Sequence, residues 1–518
     1  MRWMTKRGFG GLVVAVLIMG TTVTQATQKS ARVLTDCNAA AVATAVTAGG
    51  LVDINCPAAT VLTFGSELVM AQDTEINGNN TVIFDGQNAR RVLRSPNNRR
   101  ITLRNLTIRN GRTNDQGAGI NVGFWNNLTI TNVRFENNEA TKDSAQCDGG
   151  GAIFIGGGSV ATIDGSTFIN NRANNGGAIN NLRTKLTVTN STFDQNKATH
   201  TANINQFGDC GGGGAIYIDG GRDPGDGGPD TSVLRDNIYT NNTTNNHGGA
   251  IFAGLYTGDT LLVDRSTFEN NTATKLGDQG GTGGAIWYGF AAGGVTNERL
   301  VLTNSTLANN DAHGQGGGLW VDAPTSISNV TFAGNDATDP NNYPPSDEWR
   351  KGNGGALAVA ENAPVDINNT TFAINHSGFN GGAIAAGPSV SIKNTLFVNN
   401  TSAWSIQIMQ HCTEALTDGG NNLQYPPKNP NLNYWNETNC TTNIGTPTLT
   451  LGGLANNGGA TKTMALPAGS PAINAGNTAT CTATDQRDYP RVGVCDVGAY
   501  EFKPLVVTDV VYIPLVQR

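Results

Sequence analysis

The stretch that decides the fold runs from Leu186 to Asn196 and reads LTVTNSTFDQN. It places Leu186 and Val188 two positions apart, with a threonine after each. An apolar residue at every second position is typical of a β-strand with one buried face. Phe193 follows, and Asn196 stands three residues after it. This short alternating strand joined to an FxxN pattern is the unit from which the rest of the chain is interpreted.

The FxxN pattern recurs along the chain, with Tyr or Leu at some of the Phe positions. Its asparagines are Asn138, Asn171, Asn196, Asn242, Asn271, Asn310, Asn335, Asn375 and Asn400. A second pattern, Gly-Gly-Ala-Ile or a close variant, alternates strictly with the first and begins at Gly150, Gly176, Gly213, Gly248, Gly283, Gly316, Gly354 and Gly381. Phe168 and Phe193 show the shortest spacing, 25 residues, so longer intervals contain loops. The chain is therefore a tandem repeat.

Strands this short cannot bury a face alone, but identical coils stacked about 4.8 Å apart give each strand a neighbour above and below. The sequence predicts an all-β fold, a right-handed parallel β-helix (a single-stranded solenoid), with a small N-terminal cap and a C-terminal disulfide-containing region. In such a stack each Phe lies over the next, and the nine asparagines form a hydrogen-bonded ladder at a turn.

Composition agrees with many short strands and tight turns. The 518 residues include 67 glycines, and charged residues make up only 14%. The net charge is −7, and no basic cluster runs along the repeats, so we expect no nucleic-acid partner.

The N-terminus resembles an export signal. Arg2, Lys6 and Arg7 precede an apolar run from Leu12 to Met19, and small or polar residues continue to Ala26. The alternative is an uncleaved membrane anchor, but this run is well short of the about 20 residues that a spanning helix requires. We expect a secreted or cell-surface protein with no transmembrane segment in the mature chain.

Eight cysteines fit an exported, oxidising location. Proximity in sequence suggests the pairs Cys37 with Cys56, Cys412 with Cys440, and Cys481 with Cys495, with Cys147 and Cys210 bridging two loops. Spacing alone does not fix this connectivity. The chain has no CxxC motif and no pair of histidines at ligand spacing, so we assign no metal site and no cofactor.

Five segments follow from these patterns: residues 1–26 as signal peptide, 27–60 as N-terminal cap, 61–425 as β-helix, 426–502 as C-terminal region and 503–518 as tail. An alanine-rich run between Cys37 and Cys56 predicts a short helix that covers the first coil.

The paired GGAI and FxxN patterns resemble the passenger regions of chlamydial polymorphic outer-membrane proteins and pectin-lyase-like β-helices in general. The C-terminal stretches LPAGSPAINAG (466–476), DQR (485–487) and CDVGAYE (495–501) resemble the ending of bacterial choice-of-anchor Q proteins. This resemblance implies an exported, surface-associated protein with a C-terminal attachment device. The chain lacks the LPxTG signal of sorted members, which leaves the mode of attachment open.

Enzymes also use this fold, so a polysaccharide-cleaving enzyme is an alternative interpretation. The chain has no adjacent pair of aspartates and no RxK of the polygalacturonase type, and we assign no catalytic residue. Asp164 and Asp264 are as well explained by turn hydrogen bonds as by ion binding. The C-terminal region also contains a group of charged residues. We interpret them as Arg–carboxylate pairs that stabilise this region rather than as an active cleft. The group comprises Asp485, Arg487, Asp488, Arg491, Asp496 and Glu501.

An aromatic column is the candidate binding site. After each glycine pair the middle residue of an aliphatic-x-aliphatic strand points outward, which places in one column Tyr217, Phe252, Trp287 and Trp320, with Phe154 two coils before Tyr217. Such a column marks a contact site if it is exposed. Alternatively, long loops such as those before Gly213 and Gly283 fold over it. Both alternatives remain open at this point.

The sequence thus favours extracellular binding or adhesion by a monomer, with a glycan or a surface protein as partner. A polysaccharide lyase or glycoside hydrolase is the rival interpretation, and a structural envelope component is the third.

Overall fold

A computed structural model describes residues 31–142, 148–199, 212–221, 230–277, 279–290, 297–341, 343–344, 347, 350–360, 362–403, 410–428 and 439–503. Within these ranges the chain forms a parallel β-helix with three long sheets. No helix in the described ranges is long and apolar enough to cross a membrane. The predicted signal peptide and nearly all of the predicted tail lie outside the described residues.

One coil shows how the repeat folds. Ile153–Ile155 belongs to the second sheet, Val160–Asp164 and Thr167–Ile169 to the first, and Arg172–Ala173 to the third, after which Ile179–Leu182 returns to the second sheet. Each strand pairs in parallel with its counterpart in the next coil; Phe168, for example, is in register with Phe193.

The first sheet takes up to two strands from each coil. Its strands are Arg32–Leu34, Gly50–Ile54, Thr60–Thr63, Thr74–Asn77, Val82–Asp85, Arg100–Arg109, Asn127–Glu136, Val160–Asp164, Thr167–Ile169, Lys185–Thr189, Thr192–Asp194, Thr231–Arg235, Ile238–Thr240, Thr260–Asp264, Thr267–Glu269, Arg299–Thr303, Thr306–Ala308, Thr325–Ser328, Thr331–Ala333, Val365–Asn368, Thr371–Ala373, Val390–Lys393, Leu396–Val398, Thr417–Asp418 and Leu423–Tyr425.

The other two long sheets take one strand from each coil. The second contains Leu68–Val69, Leu93–Ser95, Ile120–Val122, Ile153–Ile155, Ile179–Leu182, Ile216–Asp219, Ile251–Leu255, Ile286–Phe290, Leu319–Val321, Leu357–Val359 and Ile384–Ala385. The third contains Arg112–Thr113, Glu139–Ala140, Arg172–Ala173, Lys197–Ala198, Thr243–Thr244, Thr272–Ala273, Asp311–Ala312, Asp336–Ala337, His376–Ser377 and Thr401–Ser402. Two short antiparallel pairs join Lys275–Leu276 to Gln279–Gly280 and Leu454–Ala455 to Thr463–Met464.

The interior is a stack of aromatic rings, as predicted. The rings of the FxxN positions lie face to face, with centroids 4.5–5.2 Å apart and planes within 10°. They are Phe135, Phe168, Phe193, Tyr239 and Phe268, then Phe332, Phe372 and Phe397, with Leu307 between the two groups. Since all of them are fully buried, the stack forms the centre of the apolar core.

The predicted asparagine ladder is also present, and all nine members are fully buried. From Asn138 to Asn375, each side-chain amide donates to the Oδ1 of the next asparagine at 2.8–3.0 Å. Each also donates to a backbone carbonyl of the preceding coil, as Asn242 does to Phe193 at 2.9 Å. The last member, Asn400, contacts Nδ1 of the buried His411 at 3.0 Å. Every rung is therefore satisfied by its neighbours.

A left-handed turn residue precedes each ladder asparagine. Asn241, for example, has a φ of 55°, and most copies have Asn at this position because its short polar side chain tolerates this conformation. Ile374 occupies the same position with a φ of 52°. A β-branched residue is strained there.

The N-terminal helix is Ala39–Ala48, inside the predicted Cys37–Cys56 segment. Asn38 caps it by accepting a hydrogen bond from the Ala40 amide at 2.8 Å. Val42 and Val46 are fully buried against the core. The parallel stack begins earlier than residue 61, because Gly50–Ile54 already pairs with Thr74–Asn77. The helix and the first coil thus form one packed unit.

Three predicted disulfides are present: Cys37–Cys56, Cys412–Cys440 and Cys481–Cys495. Cys147 and Cys210, the fourth expected pair, lie outside the described residues. The Cys412–Cys440 bridge ties together the last described coil, where Leu423 also pairs with Gly445.

Beyond that coil the chain turns back and packs along the side of the β-helix. We call residues 449–502 the C-terminal strap. Its apolar side chains, among them Leu466 and Val497, form a second core with Ala333, Ala373 and Val398 on the outer surface of the first sheet. Gln486 bonds two stacked threonines of that sheet: its Nε2 donates to Thr306 Oγ1 at 2.9 Å, and its Oε1 accepts from Thr331 Oγ1 at 2.6 Å. The strap therefore clamps several coils together.

Candidate functional site

The predicted aromatic column forms on the second sheet. Tyr217, Phe252, Trp287 and Trp320 are in register on successive strands. Their ring centroids are 4.8, 4.3 and 5.1 Å apart, and the planes lie within 10° of parallel. The flanking aliphatic residues belong to the main core, whereas the column forms a separate cluster on the outer face of the sheet. The predicted alternation is therefore correct.

Most of the column is covered, however, and the structure does not show an exposed stripe of aromatic side chains. Tyr217, Phe252 and Trp287 are only 7%, 3% and 6% exposed. The backbone of Gly212 lies against Phe252, because a Cβ at this glycine would lie 2.6 Å from the ring. The His247 ring packs 5.7 Å from Trp287. Segments that precede the glycine pairs thus cover these rings, in line with the alternative interpretation.

Phe154 is buried as well and does not join the stack. Asn180 lies between it and Tyr217 in the register of the sheet. A ligand therefore has little access to the rings at this end.

The other end of the column is less completely covered. Trp320 is partly exposed, and the residue in register on the next coil is Ala358 rather than another aromatic. The row of aromatic side chains therefore ends at Trp320, and the alanine that follows it is buried. A groove of about 830 Å³ opens at this position, which we call the Trp320 groove. Its lining includes His247, Lys275, Thr282, Trp287, Phe290, Gln315, Trp320, Asp322, Asp347, Arg350 and Asn353.

Polar groups surround the partly exposed indole. The Trp320 Nε1 donates to Gln315 Oε1 at 3.2 Å, which fixes the ring. Partial burial raises the pKa of the Asp322 carboxyl. Arg350 lies 4.8 Å from the centroid of the Tyr343 ring, which holds its guanidinium at the groove. The groove thus combines one partly exposed indole with several hydrogen-bonding groups.

Two other groups at the groove are already engaged. Lys275 Nζ lies 2.5 Å from Asp339 Oδ2, and Asp339 is completely buried. His247 Nδ1 lies 2.6 Å from Thr282 Oγ1, and burial lowers the pKa of His247 to about 4. A neutral buried imidazole and a paired lysine serve the structure of the groove wall.

The carboxylates considered for ion binding instead join neighbouring coils. Asp164 accepts hydrogen bonds from Thr189 and Asn190 at 2.6 and 2.7 Å, which lowers the pKa of its carboxyl. Asp264 accepts from Thr303 and Asn304 in the same way. Among the described residues no group of three or more His, Cys, Asp or Glu is arranged to hold a metal ion.

The C-terminal polar group braces the strap, as interpreted from the sequence. The Arg487 and Asp485 side chains form a buried pair at 2.6 Å, and Arg491 pairs with Glu501 at 3.0 Å. Burial raises the pKa of Asp496 to about 6. Asp488 alone is well exposed, 3.9 Å from Arg265. Four of these charges are therefore paired within the strap and closed to a substrate.

The contact between the strap and the first sheet was not predicted from the sequence. The outward residue after the aromatic position is polar in most early copies, as in Glu136 and Asp194, but becomes Ala308, Ala333 and Ala373 in later ones. That change marks a covered surface and could have been recognised.

Comparison with known proteins supports the repeat. The Chlamydia polymorphic membrane protein repeat matches residues 190–219 and 265–288, and each match runs from an FxxN rung into the following glycine pair. The probable outer membrane protein pmp6 of Chlamydia pneumoniae is 33% identical over 213 residues, which cover 38% of this chain. The chain spans about 15% of the length of that relative. These similarities support a cell-surface or outer-membrane-associated protein with repeats like those of the chlamydial polymorphic membrane proteins.

Proposed function

We propose that this protein is a surface-attached β-helix whose function is binding, and that it binds carbohydrate in the Trp320 groove. The observation that carries this proposal is the partly exposed Trp320 indole, which ends a stacked column and lines the groove. The rings of that column repeat every 4.3–5.1 Å. A sugar ring in the groove would pack its apolar face on the exposed part of the Trp320 indole.

The surrounding side chains suit hydroxyl groups. Asn353 and Gln315 both donate and accept hydrogen bonds, Arg350 donates, and the Asp322 carboxyl accepts. A concave site with one aromatic surface and a few polar groups is a usual arrangement for binding a small ligand. The covered members of the column, Phe252 and Trp287, hold Trp320 in place rather than contacting the ligand.

Attachment is assigned to the C-terminal region, residues 426–502. Its resemblance to the ending of choice-of-anchor Q proteins supports this role. The strap is fastened to the side of the β-helix by the Gln486 contacts, so a force on this region is carried to several coils at once.

The test is retention of the purified mature protein in gels that contain hydroxyethyl cellulose, glycogen, polygalacturonate or alginate, with and without calcium. We expect retention by at least one of these polymers, with loss in Trp320→Ala. Trp125→Ala is the matched control, because Trp125 is 55% exposed and lies outside the groove. Circular dichroism checks that both variants stay folded.

Three results would overturn the proposal. Shortening of a polymer would indicate a polysaccharide-cleaving enzyme. Loss of retention in Trp125→Ala but not in Trp320→Ala would place the site elsewhere. Absence of retention by any polymer would favour a protein partner or a structural role in the envelope.

A further inference from the structure

A row of charged residues runs along the outer surface of the third sheet. From Glu139–Ala140 onwards, the second residue of each strand, such as Ala140 or Ala198, is buried, so the first residue faces outward. Successive first residues are in register from coil to coil. We call this the charged row; it comprises Arg112, Glu139, Arg172, Lys197, Thr243, Thr272, Asp311, Asp336, His376 and Thr401.

The charges are divided between the two halves of the row. Three of the first four residues are basic, the two central ones are threonines, and the next two are aspartates followed by a histidine. The charges are accessible: the side chains of Arg112, Arg172 and Asp311 are 52%, 55% and 40% exposed. One end of this surface is therefore positive and the other negative.

Neighbouring groups do not cancel this separation. Glu139 lies 3.5 Å from Arg112 and 3.8 Å from Arg172, so one carboxylate is shared by two guanidinium groups. At the other end, Asp311 lies 3.6 Å from His313, whereas Asp336 accepts a hydrogen bond from the neutral Thr338 at 2.5 Å. Asp311 raises the pKa of the His313 imidazole, and burial raises the pKa of the Asp336 carboxyl. Where His313 is neutral and both aspartates are ionised, each half keeps an excess of its own sign.

We propose that two copies of this chain associate antiparallel through the charged row. The residues of the charged row are evenly spaced. A two-fold axis that passes between Thr243 and Thr272 therefore places the row of one copy against the same row of the second copy, running in the opposite direction. Lys197 then faces Asp311 of the second copy, Arg172 faces Asp336, and Glu139 faces His376. A two-fold interface makes each of these pairs twice.

A second copy fits this surface better than a linear polyanion does. A polyanion matches the basic half but is repelled by Asp311 and Asp336, whereas a second copy complements both halves. The row spans nine steps of about 4.8 Å, or about 43 Å, long enough to align two solenoids side by side. Exposed ion pairs are individually weak and screened by salt, so the dimer dissociates as ionic strength rises.

The proposed dimer differs from the monomer that the sequence favours. It is independent of carbohydrate binding, because the row lies on the third sheet and the Trp320 column lies on the second.

Sedimentation velocity of the full chain at about 0.02 M and about 0.5 M salt tests the proposal. The wild type should dimerise at low salt and dissociate at high salt. Lys197→Asp should weaken the dimer at least about tenfold, because the reversed charge occurs twice. The double variant Lys197→Asp with Asp311→Lys should restore it. Arg299→Asp is the control; it changes the net charge equally at an exposed site on the first sheet.

A wild type that stays monomeric at low salt overturns the proposal, as does a dimer that Lys197→Asp leaves intact. Failure of the double variant to restore the dimer, in a chain whose circular dichroism is unchanged, excludes this register. If a monomeric wild type binds polyphosphate and Lys197→Asp does not, the basic half is a polyanion site instead.

Discussion

Replacing one rung of the asparagine ladder should destabilise the β-helix far more than changing the residue next to it. The Asn242 side chain makes four hydrogen bonds: it donates to Phe193 and Asn271, and its Oδ1 accepts from the backbone and side-chain amides of Asn196, all at 2.9–3.0 Å. Asn242→Ala leaves the Asn196 N–H and the Phe193 carbonyl without these partners in a fully buried environment. At about 1–3 kcal/mol for each unsatisfied group, the cost is about 4 kcal/mol.

Asn241→Gly is the matched control. Asn241 is exposed and has a φ of 55°, which glycine adopts freely, so this variant should lose less than about 1 kcal/mol. Solenoids can unfold in parts, so native-state hydrogen exchange at the Asn196 amide is a better measurement than one melting temperature. We expect about a thousandfold faster exchange in Asn242→Ala. Equal exchange in the two variants would refute the ladder's energetic role.

Three further predictions concern other parts of the chain. Ile374→Asn should raise the free energy of unfolding by about 1 kcal/mol, because it relieves a β-branched residue in a left-handed conformation; an unchanged urea midpoint would contradict this. Burial lowers the pKa of His411 to about 4, below its unfolded value of 6.5. The contribution of the neutral imidazole to the free energy of unfolding is therefore complete above pH 6.5 and is lost as the pH falls towards 4. His411→Gln should flatten that part of the pH dependence of the urea midpoint. Glu501→Ala leaves the buried Arg491 without its carboxylate partner, which should lower the free energy of unfolding by about 3–5 kcal/mol. Limited proteolysis should then cut the strap before the rest of the chain.

The repeated part of the fold could be predicted because each coil carries the same information. A residue such as Phe193 or Asn196 has a counterpart in the next copy, and stacking equivalent residues fixes the register of every strand. The ring stack, the ladder and the alternation at Trp287 follow from this one condition.

What covers the outer surfaces could not be predicted in the same way. Periodicity tells whether Tyr217 points into or out of the coil, but not which segment packs over it, because the intervening loops differ in length from copy to copy. The sequence therefore does not decide whether the column is exposed or covered. The change from Trp320 to Ala358, where the aromatic row ends, could have been recognised from the sequence.

The strap illustrates the same limit for long-range contacts. Gln486 lies 155 residues from Thr331, and no local pattern predicts that pair. The change from Glu136 and Asp194 to Ala308 and Ala333 after the aromatic positions did carry a signal, because an outward alanine row on a solvated sheet marks a covered surface.

Calorimetric titration of the wild type and of Trp320→Ala with a polysaccharide that retains the protein tests the central claim most directly. The account predicts saturable binding by the wild type and at least about tenfold weaker binding by the variant, with unchanged circular dichroism. Equal affinities of the two proteins would contradict carbohydrate binding at the Trp320 groove.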